Sequence, residues 1–226
     1  MNYPIGQSIT LNSSHFQGAS NSAISSLGLI IKSHMDYRSE ALRKLITLLK
    51  NPNDKIVSES VVELTSILSD NKVNYKAIVI FCVKIINKLT NEKALCSIVW
   101  LVSKYSNVFP TISKELVRKL TKSYPTEGIS VKILLISLAL KIWLHDSNNG
   151  IDDQQHTKVV EILIKLCLCD KENSIRMLGT IAKSVFKLEK GNKQQSILNE
   201  LSKLEMRRPE NKSNHFMSAY SFLVFD

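Results

Sequence analysis

Glycine and proline are scarce in this sequence, with seven glycines and five prolines among 226 residues. Tight turns between β-strands depend on these two residues, so their scarcity disfavours a turn-rich β architecture. Runs of arginine are also missing, and the basic residues are mostly single lysines spread along the chain. The net charge of +10 therefore indicates a dispersed charged surface rather than a dedicated nucleic-acid groove.

Long uncharged apolar runs are absent as well. The stretch ALCSIVWLVS, between Lys93 and Lys104, stops at ten residues, whereas a membrane-spanning helix needs about 20. Residues 1–31 contain no Lys, Arg, Asp or Glu, but they lack the basic start and the continuous apolar core of a signal peptide. We therefore expect a soluble, cytoplasmic protein.

The cysteines do not have the spacing of a metal site. None of them forms a CxxC pair, and the CxC pair at 167–169 has no nearby histidine to complete a tetrahedral site. Three of the four lie in apolar runs, which predicts buried, reduced thiols. The four are Cys82, Cys96, Cys167 and Cys169.

Two histidines and three carboxylates lie within twelve residues: His145, Asp146, Asp152, Asp153 and His156. A calcium loop that began at Asp146 would need glycine where Ile151 stands and glutamate where Thr157 stands. We interpret the segment as a solvated loop between two helices, without a metal.

Signatures of catalysis are missing too. There is no glycine-rich phosphate loop, no GxSxG elbow and no HExxH motif. Trp100 and Trp143 lie in apolar runs, so we interpret them as core residues rather than ligand-stacking residues. The sequence therefore predicts a protein that is not an enzyme, with no catalytic, cofactor-binding or metal-binding residues and no cofactor.

What the sequence does contain is a repeat. Helical periodicity extends from about residue 20 to 205 between short polar breaks, and an apolar triplet recurs in alternate predicted helices. The spacing is 37, 37 and then 43 residues, and we assign the six extra residues to the NNGIDDQQ insertion. The triplets are Val61, Leu64 and Leu68; Ile98, Leu101 and Tyr105; Leu135, Leu138 and Ile142; and Leu178, Ile181 and Val185.

Helix pairs that repeat at this period are typical of HEAT- and armadillo-like solenoids, in which stacked pairs share one core. The predicted fold is therefore all-α, an α-solenoid of stacked helix pairs over residues 20–188. We expect residues 1–19 to be a poorly ordered N-terminal segment. Residues 189–226 are predicted to be a terminal helix followed by a linker-like tail.

One hairpin of the repeat can be read in detail. Phe109-Pro110 is predicted to end one helix, because a residue before proline is displaced from helical geometry. Thr111 or Ser113 is predicted to cap the next helix, whose apolar row is Ile112, Leu116 and Leu120.

A basic row lies about 200° around the same helix from the apolar row. It consists of Lys114, Arg118 and Lys122. Such a row either keeps a solenoid helix soluble or meets acidic lipid headgroups or an acidic partner. It is the candidate surface site of the sequence.

Residues 94–144 carry an ordered series of short motifs. The series is Ser97-Ile98, Trp100-Leu101, Pro110, Val117-Arg118-Lys119, Glu127 and Val131-Lys132. In this series the chain resembles the trunk of a beta-type large adaptin, closest in kind to the beta subunit of the third adaptor protein complex. The resemblance extends over about residues 20–220 and covers the carboxy-terminal part of the trunk.

Two flanking segments belong to the same resemblance. Ser58-Glu59-Ser60-Val61 lies in a stretch that looks like the family's preceding repeat. Ile175-Arg176 matches downstream, whereas Met177 and Leu178 replace a polar pair of the family, so a contact that depends on that pair is not carried over. A starting Met in what resembles mid-solenoid leads us to expect a truncated or divergent chain.

The resemblance implies a non-catalytic scaffold subunit of a heterotetrameric vesicle coat. Such a coat sorts cargo at the Golgi or endosomes for delivery to the lysosome or vacuole. The implied partners are the other large adaptin chain and the medium and small subunits, with peripheral membrane contact through the complex. Links to a small GTPase or to clathrin would need parts of the family's chain that this sequence lacks, and no nucleic acid is expected. The implied location is cytoplasmic, on Golgi and endosomal membranes and coated vesicles.

Other readings remain open at this point. Within the class, the beta-adaptins of other adaptor complexes and the beta-type coatomer subunits are alternatives. From a different class, an independent basic α-solenoid could bind nucleic acid or an acidic peptide in its groove. The net charge favours that alternative, whereas scattered lysines and the lack of exposed aromatic residues disfavour it.

Overall fold

The computed structural model of the chain describes residues 22–34, 36–68 and 76–187. The predicted N-terminal segment 1–19 and the predicted tail 189–226 lie outside these residues, as does the predicted break at 69–74. In the described ranges the chain forms nine α-helices and two short 3-10 helices, and no β-strand. None of these helices combines the length and the apolarity that crossing a bilayer requires.

The helices follow one another through short connections. They are α1 (22–33), α2 (Arg38–Leu48), α3 (Asp54–Leu68), α4 (Lys76–Ile85), α5 (Glu92–Lys104), α6 (Pro110–Ser123), α7 (Ile129–Asn148), α8 (Gln154–Leu168) and α9 (Asn173–Phe186). The 3-10 helices are Ile86–Lys88 and Tyr124–Thr126. The chain divides into two compact units whose boundary, between Ile98 and Val99, falls inside α5.

The first unit contains α1 to α4 and the beginning of α5. In this unit α2 packs against α3. Lys32 on α1 donates a hydrogen bond to Ser66 Oγ on α3 at 2.9 Å and lies 3.7 Å from the Glu63 carboxylate. Thr90 Oγ1 donates to the carboxylate of Asp54 at the start of α3. Polar contacts thus join elements that are about one repeat apart in sequence.

The second unit contains the end of α5 and helices α6 to α9. Here α6 packs against α7 and α8 against α9, while α6 also contacts α8 and α7 also contacts α9. Consecutive helices therefore form pairs, and each pair stacks on the next with α6 and α8 in one layer and α7 and α9 in the other. This arrangement confirms the predicted all-α fold of stacked helix pairs.

The recurring apolar triplets supply much of the buried core. They fall on α3, α5, α7 and α9, with Tyr105 just beyond the end of α5, and every member is buried except the half-buried Ile181. Full burial of a Leu or Ile side chain stabilises a fold by about 1.5–3 kcal/mol, so these positions carry a large share of the packing energy. The predicted repeat is confirmed.

Other predicted core residues are placed as follows. Trp100 is buried, and Trp143 is half-buried with its ring 4.7 Å from that of Phe186 on α9. Three cysteines are buried outside any disulfide, whereas Cys169 is exposed.

Two predicted helix boundaries are wrong. Helix α5 ends at Lys104, and a turn separates it from Phe109, because a proline restricts only the residue before it and does not fix where an earlier helix stops. Helix α6 begins at Pro110 with Phe109 as its N-cap and no side-chain cap. Ser113 lies inside the helix and donates to the Phe109 carbonyl at 3.0 Å, so it is not the cap, and neither is Thr111.

The connection between α7 and α8 also differs from expectation. Part of the predicted insertion extends a helix instead of forming a loop. Helix α7 has 20 residues, whereas the equivalent helix α5 of the preceding repeat has 13. Gly150 adopts φ 71°, a left-handed conformation that ends α7. Its N–H bonds to the Ser147 carbonyl at 3.2 Å, and the N–H of Ile151 bonds to the Asp146 carbonyl at 2.9 Å. Asp153 then caps α8.

Candidate interaction surface

The predicted basic row lies on α6, on the side away from the core. Leu116 and Leu120 are buried on the opposite side, and Ile112 is half-buried. The three basic residues have different surroundings: Lys114 is half-buried, whereas Arg118 and Lys122 are exposed. As a contact for lipid or an acidic partner, the row stays a prediction.

Lys114 is neutralised by two aspartates. Its Nζ lies 2.7 Å from Asp146 Oδ2 at the end of α7 and 2.8 Å from Asp153 Oδ2 at the start of α8. The Asp153 contact is a hydrogen bond, whereas the Asp146 contact is an ion pair without hydrogen-bond alignment. The Asp146 side chain is only 8% exposed, and the Lys114 ammonium is the counter-ion beside it.

The pKa directions agree with this geometry. Burial would lower the pKa of Lys114, but its contacts with Asp146 and Asp153 outweigh burial and raise it above the ordinary lysine value. The hydrogen bond from Lys114 and that from the backbone of His156 lower the pKa of Asp153. Lys114 and Asp153 are therefore both charged at neutral pH, and their contact fastens α6 to the next helix pair.

His156 completes this cluster from α8. Its backbone N–H donates to Asp153 Oδ1 at 3.0 Å, and its buried Nε2 lies 3.2 Å from the Ala139 carbonyl on α7. A carbonyl can only accept, so the proton must be on Nε2. Burial lowers the pKa of His156, which keeps the ring neutral.

The interpretation of this segment as a solvated loop is wrong. His145 and Asp146 belong to α7, His156 belongs to α8, and Asp146 and His156 are buried. The physical reason is that the Lys114 ammonium compensates the buried Asp146 carboxylate, and the Ala139 carbonyl accepts a hydrogen bond from the His156 ring. In the part of the chain that the structure describes, no group of three such side chains is arranged to hold a metal ion.

A second cluster joins α7 to the turn between α8 and α9, and the sequence reasoning missed it. Lys132 Nζ and Tyr124 Oη each donate to Asp170 Oδ2 at 2.9 Å. The Lys132 ammonium also lies 4.8 Å from the centre of the Tyr124 ring, and Tyr124 Oη lies 3.5 Å from Cys167 Sγ. The usable sequence signal is the spacing, since 38 residues separate Lys132 from Asp170 and 39 separate Lys114 from Asp153.

The side chains of this second cluster are largely buried, and their contacts shift the pKa values of its groups. Burial would raise the pKa of Asp170, but the hydrogen bonds from the Glu172 backbone, Lys132 and Tyr124 lower it. Burial, with the contacts to Cys167 and Asp170, raises the pKa of Tyr124. Burial also raises the pKa of the Cys167 thiol, which makes it a poor nucleophile. The arrangement serves packing rather than chemistry.

The remaining charged groups of this unit are partly paired. Arg118 donates two hydrogen bonds to Glu115, at 2.7 and 2.6 Å, on the exposed surface of α6. Buried Lys141 on α7 donates to the Ser103 carbonyl at 2.8 Å, in the last turn of α5. The Glu115 carboxylate offsets the charge of Arg118 at the surface, whereas the Lys141 ammonium lies in the interior against a neutral carbonyl.

Met177 and Leu178, which replace a polar pair in the family resemblance, have different surroundings. Leu178 is buried under α8 and α7, whereas Met177 is 55% exposed on α9. An exposed methionine is available for contact with another molecule.

Comparison with known proteins places the chain in one family. Residues 10–190 match the family described as Adaptin N terminal region. The chain is similar to the mouse AP-3 complex subunit beta-2, with 29% identity over 139 residues, which are 62% of this chain and 12% of the relative. It is also similar to the mouse AP-3 complex subunit beta-1, with 27% identity over 153 residues, 68% of this chain and 13% of the relative.

A more distant organism gives the same result. The Dictyostelium discoideum AP-3 complex subunit beta is 24% identical over 161 residues, 56% of this chain and 14% of that protein. The chain thus spans about an eighth of the length of these curated relatives. Because the matched region includes every described helix of both units, the chain belongs to the adaptin N-terminal-region family.

Proposed function

We propose that this chain is a non-catalytic scaffold segment of an adaptor-complex beta subunit that serves vesicle-mediated protein transport. The observation that carries the proposal is the family match over residues 10–190, which coincides with stacked helix pairs. The relatives' names make them beta subunits of AP-3 complexes, and we extend that role to this chain.

The proposed partners are those that the resemblance to beta-type adaptins implies. They are the other large adaptin chain and the medium and small subunits of a heterotetrameric coat. The proposed setting is the cytoplasmic surface of Golgi and endosomal membranes and coated vesicles, on the route to the lysosome or vacuole. Membrane contact would be peripheral and made through the complex.

The chemistry of the described clusters supports a scaffold role. Lys114 and Lys132 each join one helix pair to the next, through Asp153 and Asp170, and His156 is held neutral against a backbone carbonyl. Groups that are used in this way stabilise the stack and are not available as acids, bases or nucleophiles. A rigid stack is what a subunit needs to present a fixed surface to several partners.

The test is affinity purification of the tagged chain from its own cells. We expect a second large adaptin, a medium subunit and a small subunit to co-purify with it. Recovery of nucleic acid or unrelated proteins alone would contradict the proposal and leave only the fold.

A matched pair of variants sharpens this test. Met177→Asp places a charge on an exposed apolar side chain of α9, whereas Thr180→Asp places the same charge one turn further along the exposed side of the helix. We expect Met177→Asp to lower the recovery of partner subunits more than Thr180→Asp does. Equal recovery would show that Met177 is outside the subunit contact.

A further inference from the structure

Helices α6 and α8 share one outer surface. They lie side by side in one layer and both pack against α7 in the other layer. Each buries the side that faces this second layer, through Leu116 and Leu120 on α6 and Val160 and Leu163 on α8. The opposite sides point away from α7, so together they form a continuous face of this unit.

The contact between Lys114 and Asp153 shows which residues of α6 and α8 lie at the same level along the two helix axes. The chain reverses twice between α6 and α8, so the two helices run in the same direction. Lys122 lies eight residues, about 12 Å, beyond Lys114, and Ile162 lies nine residues, about 13.5 Å, beyond Asp153. Lys122 and Ile162 therefore lie at about the same level on two adjacent helices, and the axes of packed helices are about 8–10 Å apart.

Three exposed lysines surround this isoleucine. Lys158 lies about one turn before Ile162 on α8, Lys165 lies about one turn after it, and Lys122 flanks it from α6. Within the described part of the chain, none of the three ammonium groups is in an ion pair, which distinguishes them from Lys114 and Arg118.

The apolar residue at the centre is also exposed. Ile162 has 51% of its surface accessible, between lysines that lie four residues before it and three after it. We propose that this α6–α8 basic face, formed by Lys122, Lys158, Ile162 and Lys165, binds the anionic lipid headgroups of a membrane surface. The lysines contact phosphate groups, and Ile162 enters the interfacial layer.

A membrane fits this face better than an acidic peptide does. A bound peptide helix is anchored by several apolar side chains along one groove, whereas this face offers a single isoleucine on the outside of two helices. Lysines on flexible stems meet a field of headgroups without demanding a fixed geometry. The inference deepens the proposed function, because it assigns to this chain a direct part in the peripheral membrane contact.

The test compares two double variants of the full chain in vesicle co-sedimentation. The vesicles are phosphatidylcholine with or without about one-fifth phosphatidylserine. Lys158→Ala/Lys165→Ala removes two lysines from the face, and Lys183→Ala/Lys187→Ala removes two exposed lysines from α9 and its C-cap. We expect the first to weaken binding to anionic vesicles roughly twenty-five-fold, about fivefold for each lysine, and the second to change it much less.

Further variants test the composition of the face. Adding Lys122→Ala to the first double variant should weaken binding by about another fivefold, because α6 contributes to the same surface. Glu161→Gln removes an exposed carboxylate between Lys158 and Lys165 and should strengthen binding. Binding of the unaltered chain should fall steeply as salt rises. Circular dichroism and thermal unfolding verify that each variant folds like the unaltered chain.

Several results would overturn the proposal. One is equal vesicle binding by the two double variants, and another is no preference for anionic over neutral vesicles. A third is a chain that binds poly-glutamate through these lysines while its vesicle binding does not depend on them. The proposed function is tested separately, since co-purification of partner subunits with the Lys158→Ala/Lys165→Ala variant should persist if only membrane binding is lost.

Discussion

The Lys132–Asp170 ion pair allows a quantitative prediction. The two side chains are 11% and 4% exposed, and Asp170 Oδ2 accepts hydrogen bonds from Lys132 and Tyr124 at 2.9 Å. Asp170→Ala leaves the Lys132 ammonium buried without its carboxylate. Removing one partner of a buried pair costs about 3–5 kcal/mol. Because the Tyr124 ring still lies 4.8 Å from the ammonium, we expect the lower end, about 3 kcal/mol.

Urea unfolding followed by circular dichroism measures this cost by linear extrapolation. A double-mutant cycle with Lys132→Met isolates the pair, because Lys132→Met/Asp170→Ala has no stranded charge and should recover most of the lost stability. Lys158→Met is the control: this lysine is exposed, so its replacement should change stability by no more than about 0.5 kcal/mol.

The same pair predicts a pH dependence. The fold lowers the pKa of Asp170 below its unfolded value of about 3.9, so the stabilisation is complete above that value and is lost as the pH falls through the folded pKa. Asp170→Ala should therefore lose less stability on acidification than the unaltered chain. The reasoning would be refuted by a cost below about 1 kcal/mol for Asp170→Ala or by an unchanged acid dependence.

Three further variants test the packing and the α7–α8 connection. Gly179→Ala should lower the thermal midpoint. The new Cβ would lie 2.9 Å from Cys167 Cβ, and such overpacking costs about 1–3 kcal/mol, whereas the gain in helix propensity is about 1 kcal/mol. A higher midpoint would contradict this. In urea, Asp153→Ala should cost about 1–2 kcal/mol because it removes the N-cap of α8, whereas Asp152→Ala, at an exposed position, should cost almost nothing. His156→Gln should weaken the dependence of stability on pH below about 6.5. In the unaltered chain the buried ring stays neutral while the ring of the unfolded chain is protonated, so stability falls with pH. An equal slope of the urea midpoint against pH in the two proteins would exclude this.

The fold was largely predictable because the spacing of its core residues can be counted along the sequence. Leu64, Leu101, Leu138 and their triplet neighbours recur at helical spacing within each helix and at repeat spacing between helices. Burial of one side of a helix imposes the first period, and stacking of similar pairs imposes the second. Both can be counted without knowing any contact.

The charged clusters were not predictable in the same way. Asp146 and His156 look like loop residues because polar side chains at helix ends usually face water. Their burial depends on Lys114 and Ala139, which lie outside the segment and meet it only after α6, α7 and α8 have packed. Likewise, the unpaired lysines of the α6–α8 basic face can be told from Lys114 only once the aspartates are located.

The connection between α7 and α8 bears on where the chain tolerates insertions. The Asp146 carbonyl closes the end of α7 while its carboxylate holds Lys114, and Asp153 caps α8 while it holds the same lysine. Only Asp152 lies between the residues Ile151 and Asp153 that are fixed in this way. A peptide tag inserted at this polar, loop-like site would thus separate the two aspartates that bind Lys114. Although the sequence there resembles a tolerant loop, the insertion would weaken the packing between helix pairs.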